Sequence, residues 1–108
     1  GLLTGKYNGG VAPDSRLGKE SEWLRGVVLG EPQSRRLERA RKFAALAEEL
    51  DASPAALAIA WCLRNPHVST VILGASRIEQ LHQNLDALTL AHDLEEGVWA
   101  RLEAATAV

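Results

Sequence analysis

The chain has 108 residues, with 12 Lys and Arg against 14 Asp and Glu, three His, one Cys and no Met. That length holds one domain at most, and a net charge of -2 with 46% hydrophobic residues describes an ordinary globular composition, neither disordered nor polyanion-seeking. One cysteine excludes an internal disulfide and a cysteine zinc cluster and gives a cytoplasmic reading. The longest uncharged apolar stretch, Pro54 to Leu63, falls far short of the ~18 residues a bilayer span needs, and no basic-then-apolar signal opens the chain. Neither membrane insertion nor secretion is expected.

Residues 1–18 are rich in glycine, with one proline and no sustained period, and read as a long loop. Residues 19–29 carry Trp23, Leu24, Val27 and Val28 at helical spacing before Gly30 and Pro32, which predicts a short helix. From Gln33 to Leu50 the apolar positions Leu37, Ala40, Phe43, Ala44, Leu46, Ala47 and Leu50 recur at three- and four-residue steps, the pattern of an amphipathic helix. Its basic group, Arg35, Arg36, Arg39, Arg41 and Lys42, is interrupted by Glu38 and reads as a solvated face, with no nucleic-acid partner implied.

Ser53-Pro54 is a helix start, since serine caps free N–H groups and proline at the first helical position forfeits no hydrogen bond. The helix it opens, to Arg64, is apolar all round and calls for cover on most sides. Trp61 and Cys62 within it read as core residues, and Trp23 and Trp99 as packing residues, although Trp23 lies near the opening loop and could reach it. After Asn65-Pro66, the run Ser69-Thr70-Val71-Ile72-Leu73 is β-branched, too short for a helix and closed by Gly74, which predicts one buried strand. Ser76-Arg77-Ile78-Glu79 fits a capping box for a helix with Ile78, Leu81, Leu85 and Leu88 along one stripe. Asp93 with Glu96 is a weaker cap for a last helix that buries Val98, Leu102 and Ala105.

A lone buried strand poses a physical problem, because leaving its backbone groups unpaired costs on the order of 1–3 kcal/mol each. Its partner strands are not in this sequence. With the absent methionine, this leads us to expect the C-terminal piece of a larger α/β protein.

The strand, Gly74 and the capped helix together place free N–H groups at a helix N-terminus, an anion site by geometry. Ser76 and Gln80 can donate to phosphate oxygens, Arg77 adds charge, and Gln83 and Asn84 could read a flat heteroaromatic edge. The alternative, that Gly74 only ends a strand and Ser76 only caps a helix, uses the same residues and stays open. His67, His82 and His92 share no ligand spacing with one another or with Cys62, so no metal site is expected.

Four blocks carry a resemblance: Gly1-Leu2-Leu3-Thr4-Gly5-Lys6-Tyr7, Ser15-Arg16, Ala58-Ile59-Ala60-Trp61-Cys62-Leu63-Arg64, and Leu73-Gly74-Ala75-Ser76 with Glu79-Gln80-Leu81 and Asn84. In this order they resemble the C-terminal third of an aldo-keto reductase, closest to the branch with potassium-channel β subunits and their bacterial relatives. The resemblance implies that residues 1–108 are the C-terminal portion of one (β/α)8 barrel domain that reduces aldehydes or ketones by hydride transfer from NADPH. The predicted strand would be the last of the barrel, with the cofactor at its C-terminal mouth. By matched position, Lys6 and Arg16 would meet the cofactor phosphates, Gly74, Ser76 and Gln80 the adenosine phosphate, and Gln83 with Asn84 the adenine. Many members carry glutamate where this chain has Gln83, so that contact loses its charge.

The family's catalytic aspartate, tyrosine, lysine and histidine would lie upstream, leaving this segment cofactor binding without chemistry. A redox-sensing regulatory subunit on the same barrel is the alternative function, a free-standing helical binding module a third, and homo-oligomer formation is left open.

Overall fold

The computed structural model describes residues 2–4, 6, 8–10, 13, 18, 23 and 34–107. Among the described residues a 3-10 turn at Leu2–Thr4 precedes the helices α1 (Ser34–Glu49), α2 (Pro54–Leu63), α3 (Ile78–Leu85), α4 (Ala87–Asp93) and α5 (Glu96–Thr106). The helix predicted over residues 19–29 lies outside the described residues except for Trp23, which is 74% exposed and not a packing residue.

α1 follows its apolar period. Ala40, Phe43 and Ala47 are buried, while Arg35, Arg36, Glu38, Arg41 and Lys42 face solvent. It ends in a Schellman motif: the Asp51 N–H donates to the Glu48 carbonyl (3.1 Å) and the Ala52 N–H to the Ala47 carbonyl (2.9 Å). Asp51 takes the left-handed conformation this closure requires, with φ of 52°, at the position where glycine is usual. The chain turns straight into α2, whose start is as the sequence predicts. The Ser53 hydroxyl oxygen accepts from the Ala56 N–H at 3.0 Å and Pro54 occupies the first turn.

The core lies between α1, α2, α4 and α5. Phe43, Ala47, Ala56, Leu57, Ala60, Ala87, Trp99 and Leu102 form one cluster, and half of these are alanines, which lets the helix backbones approach closely. α2 packs chiefly on α4, and α1 on α5. Only one side of α2 is fully covered, by way of Ala56, Leu57 and Ala60. Trp61, expected in the core, is 40% exposed, and Cys62 is half-buried.

α5 is fastened at several points. The Trp99 indole N–H donates to the Leu94 carbonyl at 3.2 Å. Arg64, which caps the C-terminus of α2, lays its guanidinium 5.1 Å from the Trp99 ring centre and forms ion pairs with Glu96 (2.8 Å) and Glu103 (3.0 Å). Arg101 pairs with Glu49 of α1 at 2.7 Å. The N-cap of α5 is Glu95, with no side-chain hydrogen bond, so the Asp93 cap expected from sequence does not form.

The predicted buried strand is not found: among the described residues there is no strand, and residues 69–73 have no regular secondary structure. Ile72 is 93% exposed. The physical reason is the missing partner. A helix satisfies its backbone internally, whereas a strand exists only through hydrogen bonds to another strand. Lying at the surface, these groups are met by water, which removes the burial penalty that an unpaired interior strand would carry. The helix after Gly74 also differs from expectation, because it breaks at Asp86 into α3 and α4. The break divides the predicted stripe, and Ile78, Leu81, Leu85 and Leu88 are all exposed.

Candidate functional site

The segment from Gly74 to Asn84 holds five of the seven residues read from sequence as cofactor ligands. Its organising group is the side-chain carbonyl oxygen of Gln80. That one oxygen accepts from the Ser76 backbone N–H at 2.9 Å, the Ser76 hydroxyl at 3.1 Å and the Arg77 backbone N–H at 3.3 Å. Arg77, with extended φ and ψ of -137° and 148°, is the N-cap of α3. The capping box expected of Ser76 and Glu79 is therefore corrected by one residue. An arginine side chain accepts no hydrogen bond, so only the reciprocal half of the motif operates, from Gln80 at the third helical position back to the cap.

Three donors converging on one oxygen is the donor set that an anionic oxygen also seeks at a helix start. Ser76 and Arg77 are exposed and Gln80 half-buried, so the cluster is open to solvent. Gly74 stands two residues earlier, and a Cβ placed on it meets nothing within 4 Å. Nothing within the described residues demands glycine there. Gln83 and Asn84 lie one turn along α3, exposed and half-buried respectively.

Lys6 is exposed, in the turn after Leu2–Thr4, with its N–H donating to the Thr4 hydroxyl at 3.4 Å. That 3-10 turn packs against α1 and α2, and the Arg41 guanidinium holds the nearby loop by donating to the Asn8 carbonyl at 3.1 Å. Arg16 lies outside the described residues. Ser76 and Gln80 are thus brought into direct contact, while the opening 3-10 turn and α3 both pack against α2.

Two surface depressions among the described residues include none of these residues. One, of about 480 Å³, is lined by Ala44, Glu48, Asp51, Ala52, Ser53 and Pro54. The other, of about 250 Å³, is lined by Trp61, Arg64, Asn65, Pro66 and Glu103. Among the described residues no group of three His, Cys, Asp or Glu could hold a metal ion, and no helix is long and apolar enough to cross a membrane. The Arg64 cluster escapes sequence reasoning, because its acidic partners lie 32 and 39 residues away with no local signal.

The sequence profile of the Aldo/keto reductase family matches residues 1–107. The chain belongs to the aldo/keto reductase family. It is 38% identical over 103 residues, 95% of its own length, to a Schizosaccharomyces pombe protein described as "Putative voltage-gated potassium channel subunit beta". It spans 30% of that relative's length. The resemblance read from four short blocks thus extends through nearly the whole chain, including the α1 and α5 segments that carried no recognisable motif.

Proposed function

We propose that this aldo/keto reductase chain is the C-terminal portion of a (β/α)8 barrel domain and binds NADPH there, in an oxidoreductase that reduces aldehydes or ketones in the cytoplasm. The observation that carries the reading is the convergence of Ser76 N–H, Ser76 hydroxyl and Arg77 N–H on one oxygen, two residues after Gly74. Such donors suit a phosphate oxygen, and a charge-assisted bond of this kind is about twice as strong as a neutral one.

In this reading Gly74, Ser76 and Gln80 hold the adenosine phosphate, with Gln80 anchored to the helix start from within. Gln83 and Asn84 approach the adenine, and Lys6 and Arg16 neutralise phosphate charge from the opening loop. NADPH, when bound, supplies the hydride. The residues of this chain bind and orient it, and the proton-transfer residues belong to the upstream part of the domain. Family membership supports the barrel, and the exposed, unpaired 69–73 segment fits a place where further strands would pair.

The test is fluorescence titration of NADPH and NADH against the complete reductase and its Lys6→Ala, Arg16→Ala, Ser76→Ala and Gln80→Ala variants. Losing a charge-assisted contact of about 1.5–3 kcal/mol should weaken NADPH roughly tenfold or more, with a smaller change for NADH. Equal losses for both cofactors would overturn the assignment to the 2′-phosphate. A second reading, a redox-sensing regulatory subunit, draws on the description of the Schizosaccharomyces pombe relative. Carbonyl turnover by the complete chain favours the enzyme; cofactor binding without turnover favours the regulator.

A further inference from the structure

Arg41 stands apart within the basic group of α1. Lys42 pairs with Glu38 one turn back on the same helix, but among the described residues no carboxylate pairs with Arg41. Its guanidinium instead reaches off the helix and donates through Nη2 to the main-chain carbonyl of Asn8 at 3.1 Å, across 33 residues of sequence. A charged donor makes a stronger bond than a neutral one, and the planar guanidinium loses little freedom in making it. The Asn8 Oδ1 is buried with no partner among the described residues, so the bond to Asn8 is made to its main chain and not to its side chain.

This bond closes one end of a short span. At the other end the Leu2–Thr4 turn packs against α1 and α2, and the Lys6 N–H donates to the Thr4 hydroxyl at 3.4 Å. Lys6 lies between the two anchors, with its side chain exposed. Past the Arg41 contact the loop has open space around it, since a Cβ placed on Gly9 or Gly10 meets nothing within 4 Å. Packing does not restrain the loop there, which leaves the restraint to Arg41.

We propose that Arg41 is a positioning residue for the cofactor: by holding the Asn8 carbonyl it fixes the opening loop in the conformation from which Lys6 meets the cofactor phosphates. This rests on the reading of Lys6 as a phosphate ligand, and Arg41 itself touches no phosphate. A lysine on a loose loop has to be ordered when the cofactor binds, and the cost of that ordering is subtracted from affinity. A loop clamped in advance has already lost that freedom on folding.

The test is fluorescence titration of NADPH against the complete reductase and its Arg41→Ala, Arg41→Lys and Lys6→Ala variants, with the Arg41→Ala, Lys6→Ala double variant. Arg41→Ala should weaken NADPH about two- to tenfold. Arg41→Lys, which keeps a charged donor on a long stem, should recover most of that loss. Once Lys6 is alanine, Arg41→Ala should make no further difference, because the two residues act on one contact. Arg41 is exposed and alanine favours the helix, so the thermal midpoint should hold; a general folding defect would weaken binding equally in both backgrounds. Two results overturn the role of Arg41 alone. One is weakened binding in Lys6→Ala with none in Arg41→Ala; the other is losses that add in the double variant, which would mean that Arg41 acts by its own charge. A Lys6→Ala variant that binds NADPH as tightly as wild type overturns the reading of Lys6 and the role of Arg41 with it.

Discussion

The α1–α2–α4–α5 region and the stretch from residue 69 to the end of α3 both carry large apolar side chains, yet one is closed and the other open. Leu57 is fully buried and Ile72 almost wholly exposed. α3 has no buried residue, whereas α2, of similar length, buries three. The difference lies in what each needs from outside itself. Helices satisfy their own backbones, so α1, α2, α4 and α5 need only bring apolar faces together, and short connections let them do so within 108 residues. The 69–73 run has the composition of a buried strand but not the partners, and composition alone cannot bury it.

The sharpest way to break this contrast is to make the same chemical change on both sides of it. Leu57→Ala removes a buried side chain and should destabilise the chain by about 2–5 kcal/mol, whereas Ile72→Ala should stay within about 0.5 kcal/mol. Urea unfolding of both variants, at concentrations low enough to keep the chain monomeric, measures the two on one scale. A large loss for Ile72→Ala would show that the open region is packed after all.

A middle-sized effect tests whether the closed region depends on its connections. Ser53→Ala removes the acceptor for the Ala56 N–H and should cost about 0.5–2 kcal/mol, seen as a lower thermal midpoint. Ser53→Gly should cost only a few tenths.

The smallest effect has the opposite sign. Asp51 sits at φ of 52°, where an L side chain is strained by roughly 1–2 kcal/mol, and glycine would relieve that strain while adding unfolded-state entropy of roughly 0.5–1 kcal/mol. Asp51→Gly should therefore raise stability by up to about 1 kcal/mol, and Asp51→Val should lower it. Chemical denaturation of the pair gives the sign directly.

The legible parts of the fold were those governed by local rules. Ser53-Pro54 announces the start of α2 because capping acts over three residues, and the α1 stripe announces its buried face because helical period acts over four. The Arg64–Glu96–Glu103 cluster gives no such signal, since nothing near Arg64 says which carboxylates will arrive. Trp61 and Trp99 show the same limit from another direction. Both read as core residues by size and polarity, but only Trp99 is covered, and the difference is set by what packs against it. At the candidate site the sequence singles out Ser76 and Gln80 but gives no sign of the hydrogen bonds between them. The sequence pointed to Ser76 and Glu79 for the cap, a plausible reading that fails by one position because Gln80, rather than Glu79, reaches back from the third helical position.

That bond changes what binding at the start of α3 involves. A ligand oxygen approaching the Ser76 and Arg77 N–H groups meets donors already engaged by the Gln80 amide oxygen, so binding there is an exchange of acceptors rather than the filling of an empty position. A neutral hydroxyl or carbonyl offers nothing better than the amide it displaces, since neutral hydrogen bonds differ little from one another, at a net of about 0.5–1.5 kcal/mol. An anionic oxygen retains a surplus, because bonds to charged acceptors are worth about 1.5–3 kcal/mol. The glutamine therefore acts as an internal reference acceptor, and the N–H groups it holds discriminate by charge even though they carry none themselves.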